Sequence, residues 1–150
     1  MDKNDKNEKG KKVTEVEEKV GLKRFIKIND MKKVKIRFSD LPISKYTAKG
    51  LSKAKYTKMT EVQRCSIPHS LMGRDMLVCS RTGSGKTLSY LIPLVEKLYR
   101  NQWGSLDGLG GLIIVPVREL AIQVFEVLRS FANMHDMSAG MIIGGKNVDT

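Results

Sequence analysis

The chain is 150 residues long, 41% hydrophobic and 29% charged, which is the composition of a globular domain with one core. No apolar run approaches the length that crosses a membrane, and the amino terminus is too polar for a secretory signal. Its two cysteines cannot build a disulfide framework, so a reducing intracellular compartment is expected. The net charge of +11 favours a polyanionic partner without identifying one.

Residues 1–35 are rich in charged residues and asparagine, and we expect them to form a disordered, basic tail. A marginal helix is permitted by three residues at helical spacing, Val13, Val16 and Val20. A basic cluster formed by Lys32, Lys33, Lys35 and Arg37 spans the end of the tail. This cluster fits a nuclear address or an RNA-contacting arm, and it fits a solvated charge run equally well.

Order is expected from Ile36, and residues 36–64 form the segment that precedes a phosphate loop. Ser44 is predicted to cap a helix that continues to Leu51. One face of that helix carries three lysines at four-residue spacing, Lys45, Lys49 and Lys53. A solvated surface is favoured there over a nucleic-acid patch. The run Thr60–Gln63 has the pattern of a capping box, which predicts a helix to about Ser66. A second short helix is predicted from Pro68 to the residue before Gly73.

The run Ser80–Thr87, with the sequence SRTGSGKT, lies between a predicted strand at Asp75–Cys79 and a predicted helix at Leu88–Arg100. This context makes a phosphate-binding loop the preferred interpretation over an incidental glycine turn. Glycines let successive N–H groups point at an anion, and the helix behind them adds the positive end of its dipole. Lys86 could then reach the β- and γ-phosphates of a nucleotide, and the Thr87 hydroxyl could ligate Mg²⁺.

Two further strands are predicted, at Leu112–Val115 and Ala139–Ile143, and a helix is predicted from Arg118 to about Met134. Strands that alternate with helices indicate a parallel sheet flanked by helices. Both cysteines are predicted to be small core residues, Cys65 in a helix and Cys79 in a strand.

Five other positions are candidate site residues, each with a structural alternative. Gln63 could pair with the N6/N7 edge of adenine while Phe38 offers a stacking face, or the two could be a capping glutamine and a core phenylalanine. Arg118 lies at a helix N-terminus after a strand, where phosphates are favoured, or it could be a surface arginine paired with a nearby glutamate. The pair Gly144-Gly145 would permit close approach of a ligand, or it could be a turn.

Taken together, these runs resemble the DEAD-box ATP-dependent RNA helicases over Ile36–Val148. Phe38 and Gln63 stand at the spacing of the family's Q motif, and Ser80–Thr87 resembles its phosphate loop. The run Pro116–Gln123, with the sequence PVRELAIQ, resembles its P-T-R-E-L-A-x-Q motif, and Gly144-Gly145 resembles its GG motif. The resemblance implies a RecA-like P-loop domain, with a Q-motif region at 36–64 and the start of the ATP-binding domain at 65–150.

The resemblance also implies roles for individual residues. ATP and Mg²⁺ would be the cofactors, with Lys86 and Thr87 as the catalytic residues and Thr87 as the Mg²⁺ ligand. The RNA backbone would be contacted by Arg118, Gly144 and Gly145. The nucleotide would be bound by Phe38, Gln63, Ser80, Arg81, Thr82, Gly83, Ser84, Gly85, Lys86 and Thr87.

Three departures from the family pattern put affinity in question: Lys55 and Met59 replace a glycine and a proline of the Q motif, and Val117 replaces a threonine. The family's D-E-A-D and S-A-T motifs and its second domain do not follow. The chain is therefore expected to be an N-terminal part of a helicase and inactive by itself, or else a non-catalytic ATP- and RNA-binding module.

Further runs look like the nucleolar helicases of small-subunit ribosome biogenesis, which implies pre-ribosomal particles as partners and no membrane. These runs are Phe38–Ser44, Thr47–Leu51, Leu98–Trp103 and Asp107–Gly110. Trp103 is interpreted as a loop anchor in preference to a partner contact.

Overall fold

The structure is a computed structural model, and it describes residues 37–145. The predicted tail at 1–35 therefore lies outside the described residues, as do residues 146–150. The described part contains four α-helices: α1 (Lys45–Lys53), α2 (Glu61–Leu71), α3 (Lys86–Arg100) and α4 (Arg118–Ala132). A single 3-10 turn, Phe38–Asp40, precedes them. None of these helices is both long and apolar enough to cross a bilayer.

α1 begins as its sequence predicts, because the Ser44 hydroxyl accepts a hydrogen bond from the Thr47 N–H at 3.2 Å. It continues past Leu51 to Lys53. Gly50 permits this helix to pack on α4, since a Cβ at that position would lie 1.7 Å from the Phe131 carbonyl oxygen. The close contact fixes α1 against the carboxyl-terminal half of α4.

α2 is one continuous helix, so the predicted break at Pro68 is wrong. Proline removes one backbone hydrogen bond inside a helix, but burial of the residues just before it outweighs that loss. Ser66 is buried and bonds the Val62 carbonyl at 2.7 Å, and the neighbouring Ile67 side chain is fully buried. These residues hold the helix on α3, against which α2 packs.

The core lies between the helices and beneath the 3-10 turn. Its α3 contribution has the expected helical spacing, and α4 contributes Val124 and Phe131. The buried side chains that form the core are Phe38, Leu41, Leu51, Met59, Ile67, Leu88, Leu91, Ile92, Val95, Val124 and Phe131. Burial of this apolar surface is the main stabilising contribution to the helical layer.

The three predicted strands are not paired with one another in the described residues. The only β-type pairing there is an isolated antiparallel bridge between Arg37 and Lys58. No backbone hydrogen bond joins the segments at 75–79, 112–115 and 139–143. Ile114 is 86% exposed and Ile142 is fully exposed. These segments have the composition of buried parallel strands, and such strands need neighbours on both sides to form a ladder.

The expectation that Cys79 is a core residue is also wrong, since its segment is not covered and the side chain is exposed. Cys65, on α2, is partly buried. Burial is the larger cause that raises the pKa of the Cys65 thiol, with Glu61 acting in the same direction.

Candidate functional site

The phosphate loop has the backbone conformation that its glycines predict. Gly83 and Gly85 adopt φ values of 77° and 88°, in the left-handed region that favours glycine. Gly85 is the N-cap of α3, so the loop passes directly into the helix at Lys86. The first-turn N–H groups of α3 therefore face the loop, which is the arrangement that binds anions.

Lys86 folds back over the loop. Its Nζ donates to the carbonyl oxygens of Ser80 at 2.6 Å and Arg81 at 2.8 Å. The hydroxyls of Ser80 and Ser84 are 2.7 Å apart, which closes the loop across its base. The ammonium is thus held over residues 80–81 by neutral acceptors, and a phosphate placed there would offer it charged acceptors instead.

Gln63 joins the start of α2 to this loop. Its Oε1 accepts from the Thr60 N–H at 2.9 Å, and its Nε2 donates to the Gly85 carbonyl at 2.9 Å. The side chain is only 3% exposed. A Cβ at Gly85 would lie 2.6 Å from Gln63 Nε2, so glycine is required there for this approach as well as for φ. Gln63 is therefore both the capping residue and a contact of the phosphate loop.

Phe38 does not present a free face. Its ring is 3% exposed and belongs to the core, and its N–H donates to the Thr57 carbonyl at 3.3 Å. This burial agrees with a core phenylalanine that packs the 3-10 turn against α1. The predicted contact of Phe38 with an adenine base stays a prediction.

Thr87 occupies the second position of α3, one turn before Tyr90. Burial raises the pKa of the Tyr90 hydroxyl, and a hydrogen bond with the Thr87 side chain opposes that shift. Within residues 37–145, no cluster of three histidine, cysteine or carboxylate side chains could hold a metal ion. A metal bound here would accordingly depend on the Thr87 hydroxyl and on the phosphates of a nucleotide.

Arg118 and the paired glycines, predicted separately, lie together. A Cβ built on Gly144 would be 3.7 Å from Arg118 Nη2, and one on Gly145 would be 3.8 Å from Nη1. The guanidinium thus lies over the glycine backbone at the N-terminus of α4. The guanidinium borders a groove, which we call the Arg118 groove, whose lining includes Val115–Glu119 and Ile142–Gly144. The groove therefore combines a positive charge, a helix N-terminus and accessible backbone. This combination is suited to binding a phosphate group.

The prediction missed a buried polar network at the other end of α3. Glu96 is 1% exposed and accepts from the Ser44 N–H at 2.9 Å and the Thr47 hydroxyl at 2.6 Å. The Thr47 hydroxyl also lies 2.9 Å from His135 Nε2. A glutamate within the apolar stripe of α3, one turn after Ile92, was the signal that could have revealed it.

Two of the family departures have a visible structural setting. Lys55, which replaces a glycine, adopts φ of 64°, a conformation that L-residues with a side chain rarely take. Met59, which replaces a proline, is buried in the core at 6% exposure. Lys55 therefore holds a backbone conformation that a glycine would adopt without strain.

Curated relatives match the chain over most of its length. It is 54% identical over 111 residues to the probable ATP-dependent RNA helicase ddx10 of Dictyostelium discoideum, an overlap of 74% of this chain and 13% of that protein. The ATP-dependent RNA helicase DBP4 of Mycosarcoma maydis is 52% identical over 128 residues, 85% of this chain and 14% of the relative. The human probable ATP-dependent RNA helicase DDX10 is 58% identical over 112 residues, 75% of this chain and 13% of that protein. The chain spans about one seventh of the length of these relatives.

Two solved structures share the fold. The RNA helicase Prp28 from Chaetomium thermophilum bound to ADP superposes with a TM-score of 0.70 at 28% identity, over 79% of this chain and 29% of that one. A DEAD box protein from Methanococcus jannaschii superposes with a TM-score of 0.59 at 32% identity. The match covers 66% of this chain and 26% of that one. The fold is thus that of a RecA-like helicase domain, as predicted, although the described residues form its helices without a paired sheet. A family model described as DEAD/DEAH box helicase matches residues 60–150, more than half of the sequence, and the chain belongs to that family.

Proposed function

We propose that this chain binds ATP with Mg²⁺ and the RNA backbone, and that it is the amino-terminal part of an ATP-dependent RNA helicase. The observation that carries the proposal is the geometry of Ser80–Thr87, a left-handed glycine loop that ends in the N-terminus of α3. The names of the relatives, all ATP-dependent RNA helicases, support it. The domain boundaries follow the motifs, with the Q-motif region at 36–64 and the ATP-binding domain from 65.

ATP would replace the contacts that the loop now makes with itself. The triphosphate would lie against the N–H groups of residues 82–87, and Lys86 Nζ would leave the carbonyls of Ser80 and Arg81 for the β- and γ-phosphates. Thr87 would hold Mg²⁺ through its hydroxyl, and the metal would neutralise charge on the phosphates. Lys86 and Thr87 are thus the residues of this chain that would act in phosphoryl transfer.

Gln63 would select adenine. Although both ends of its amide are engaged, Oε1 keeps a second lone pair and Nε2 a second proton. These are the acceptor and the donor that the adenine N6 and N7 positions require, and guanine does not match them. The bonds to Thr60 and Gly85 would hold the amide in place for this contact.

RNA would bind at the groove that contains Arg118, Gly144 and Gly145. The guanidinium and the first turn of α4 would face phosphate oxygens, and the glycines would let the strand approach closely. Such contacts bind without reading the base sequence, and their affinity falls as salt rises.

A role in ribosomal RNA processing, in the nucleolus and on pre-ribosomal particles, completes the proposal. It is supported by the likeness of Phe38–Ser44, Leu98–Trp103 and Asp107–Gly110 to the nucleolar helicases of small-subunit biogenesis. The net charge of +11 is consistent with an RNA-rich particle as partner.

A titration of a fluorescent ATP analogue with Mg²⁺ into wild type and Lys86→Ala tests the nucleotide site. Loss of a charge-assisted contact to phosphate is worth about 1.5–3 kcal/mol, so the variant should bind about 10- to 150-fold more weakly. Lys97→Ala is the matched control, because Lys97 is an exposed lysine on the same helix. Equal affinity of Lys86→Ala and wild type would refute the proposal.

A further inference from the structure

A pocket lies at the opposite end of α3 from the phosphate loop. It is lined by residues of α1, of the last turn of α3 and of the turns that follow α3 and α4, among them Tyr46, Tyr99, Trp103, His135 and Asp136. α3 has 15 residues, so at 1.5 Å per residue the pocket is about 20 Å from Lys86. Neither the proposed nucleotide site nor the Arg118 groove includes any of these residues.

Aromatic rings form a large part of the lining. The rings of Tyr46 and Tyr99 meet edge to face with centroids 5.6 Å apart, and His135 lies 5.7 Å from Tyr46 and 5.4 Å from Tyr99. Tyr46 is 47% exposed and Tyr99 is 41% exposed, so both keep open ring surface. Trp103 is held in place because its Nε1 donates to the Gly108 carbonyl at 3.2 Å.

A row of lysines continues this surface along α1. At 100° per residue, Lys45, Lys49 and Lys53 lie at 0°, about 40° and about 80° around the helix, and Tyr46 lies at about 100°. All four side chains are exposed and therefore share one stripe, whereas Thr47 and Leu51 are buried on the other side of the helix and Gly50 is buried next to the edge of the stripe. The lysine ammonium groups and the aromatic pocket belong to one continuous surface.

The charges on this stripe are not neutralised by the described protein. Within residues 37–145 an ion pair joins Arg100 to Glu96 at 3.6 Å, and the lysines of α1 form none with the described residues. Asp136 is the carboxylate that lines the pocket, and it could accept a hydrogen bond from a base amino group. Because Gly50 locks α1 onto α4, the stripe and the pocket keep a fixed mutual geometry.

We propose that this surface, which we call the aromatic-lysine site, binds single-stranded RNA. A base would enter the pocket and stack on the open faces of Tyr46, Tyr99 and Trp103, and the adjoining phosphates would lie along Lys49 and Lys53. Rows of cations beside exposed aromatic rings are how single strands are bound without sequence preference. The proposal rests on the proposed function only in taking RNA as the ligand, and it adds a second contact about 20 Å from the phosphate loop.

Trp103 is the only tryptophan of the 150-residue chain, so its fluorescence reports on this pocket directly. An oligouridylate of about 12 nucleotides, within the range of single-strand site sizes, should quench the emission on titration in low salt. Double-stranded RNA of the same length should quench it far less, since its bases are stacked within the duplex. A 4-thiouridine strand should crosslink to the peptides that carry Tyr46, Tyr99 or Trp103.

Variants separate stacking from charge. Tyr46→Ala with Tyr99→Ala should weaken binding of the single strand about 5- to 150-fold per lost stack, whereas Tyr46→Phe with Tyr99→Phe should retain it. Lys49→Gln with Lys53→Gln should lower the slope of log affinity against log salt by about 1.4. Lys58→Gln with Arg74→Gln is the charge-matched control, because both side chains are exposed and lie off the stripe.

The result that overturns the proposal is unchanged Trp103 emission and no crosslink in the pocket while RNA still binds the wild-type chain. A pocket used by a protein partner would give that same negative result with RNA. Crosslinking on wild type keeps the test valid if the alanine variants do not fold. Arg118→Gln separates the two sites: it should weaken the groove contact and leave Trp103 quenching in place, so either proposal can fail alone.

Discussion

Gln63 is a buried amide with both ends bonded to backbone groups, and its replacement should affect stability and base choice together. Gln63→Glu keeps the size and can still accept from the Thr60 N–H, but its carboxylate cannot donate to the Gly85 carbonyl. Leaving such a buried group unpaired destabilises a protein by about 1–3 kcal/mol. The urea concentration at the midpoint of unfolding should therefore fall. The same variant should lose its preference for ATP over GTP in competition against the fluorescent analogue.

Gln123→Glu is the matched control for this prediction, because Gln123 is an exposed glutamine on α4. It should leave both the midpoint and the nucleotide preference unchanged. A Gln63→Glu variant that still rejects GTP as strongly as wild type would contradict the adenine contact.

His135 makes stability depend on pH. The Thr47 hydroxyl gives its only proton to Glu96, so His135 Nε2 must carry the proton that it donates to Thr47. The second ring nitrogen, Nδ1, is then a buried acceptor with no hydrogen-bond partner among the described residues, and a proton placed there would have no acceptor to bond. Burial lowers the pKa of His135, and the nearby Glu96 carboxylate only partly opposes this.

Because the folded-state pKa is below the unfolded value of about 6.5, the unfolded chain binds more protons in acid. The free energy of unfolding should therefore be constant above about pH 6.5 and decrease as pH falls below that value. Burial also lowers the pKa of His69, with Arg74 acting in the same direction. Urea titrations across this pH range measure how the free energy of unfolding depends on pH. This dependence should be weaker in His135→Gln than in wild type, and weakest in the double variant His69→Gln with His135→Gln. A slope unaffected by both substitutions would exclude the histidines as its source.

At the scale of elements, the packing of α1 on α4 depends on Gly50. A methyl group there would overlap the Phe131 carbonyl oxygen, and backbone cannot move aside as a flexible side chain can. Overpacking commonly destabilises a protein by 1–3 kcal/mol, and we expect Gly50→Ala to reach about 3 kcal/mol or more. Thermal and urea unfolding followed by circular dichroism measure the change.

Gly140 provides the control, since a Cβ at that position would meet nothing within 4 Å. Gly140→Ala should change the free energy of unfolding by less than about 0.5 kcal/mol. Two alanine variants of equal stability would show that α1 does not need its close approach to α4.

At the scale of the whole molecule, the uncovered apolar segments should drive self-association. Ile114 and Ile142 lie in segments whose backbone groups have no ladder partner within residues 37–145, and exposed apolar segments of this kind pair with other chains. Sedimentation velocity on the 150-residue chain should show oligomers that decrease in Ile114→Lys with Ile142→Lys. Met72→Lys is the control, because Met72 is a large exposed apolar side chain outside these segments. Persistent oligomers in the double variant would place the association elsewhere.

The sequence by itself determined the local features of this protein. The phosphate loop, the Ser44 cap and the extent of α3 depend on neighbours a few residues apart, and turn chemistry and helical periodicity encode such neighbours directly. The order and spacing of the motifs also identified the family. The strand composition was recognisable too, but whether a strand forms depends on partners distant in sequence.

Only the tertiary structure decided which distant groups meet. Glu96 bonds Ser44 and Thr47 across 52 and 49 residues, and Thr47 meets His135 across 88, which no local pattern encodes. Pro68 stays inside a helix because burial at Ile67 holds that helix on α3, an effect that local propensity does not include. The lysines of α1 were recognisable as one face, but their position beside Tyr46, Tyr99 and Trp103 follows from the close packing that Gly50 permits.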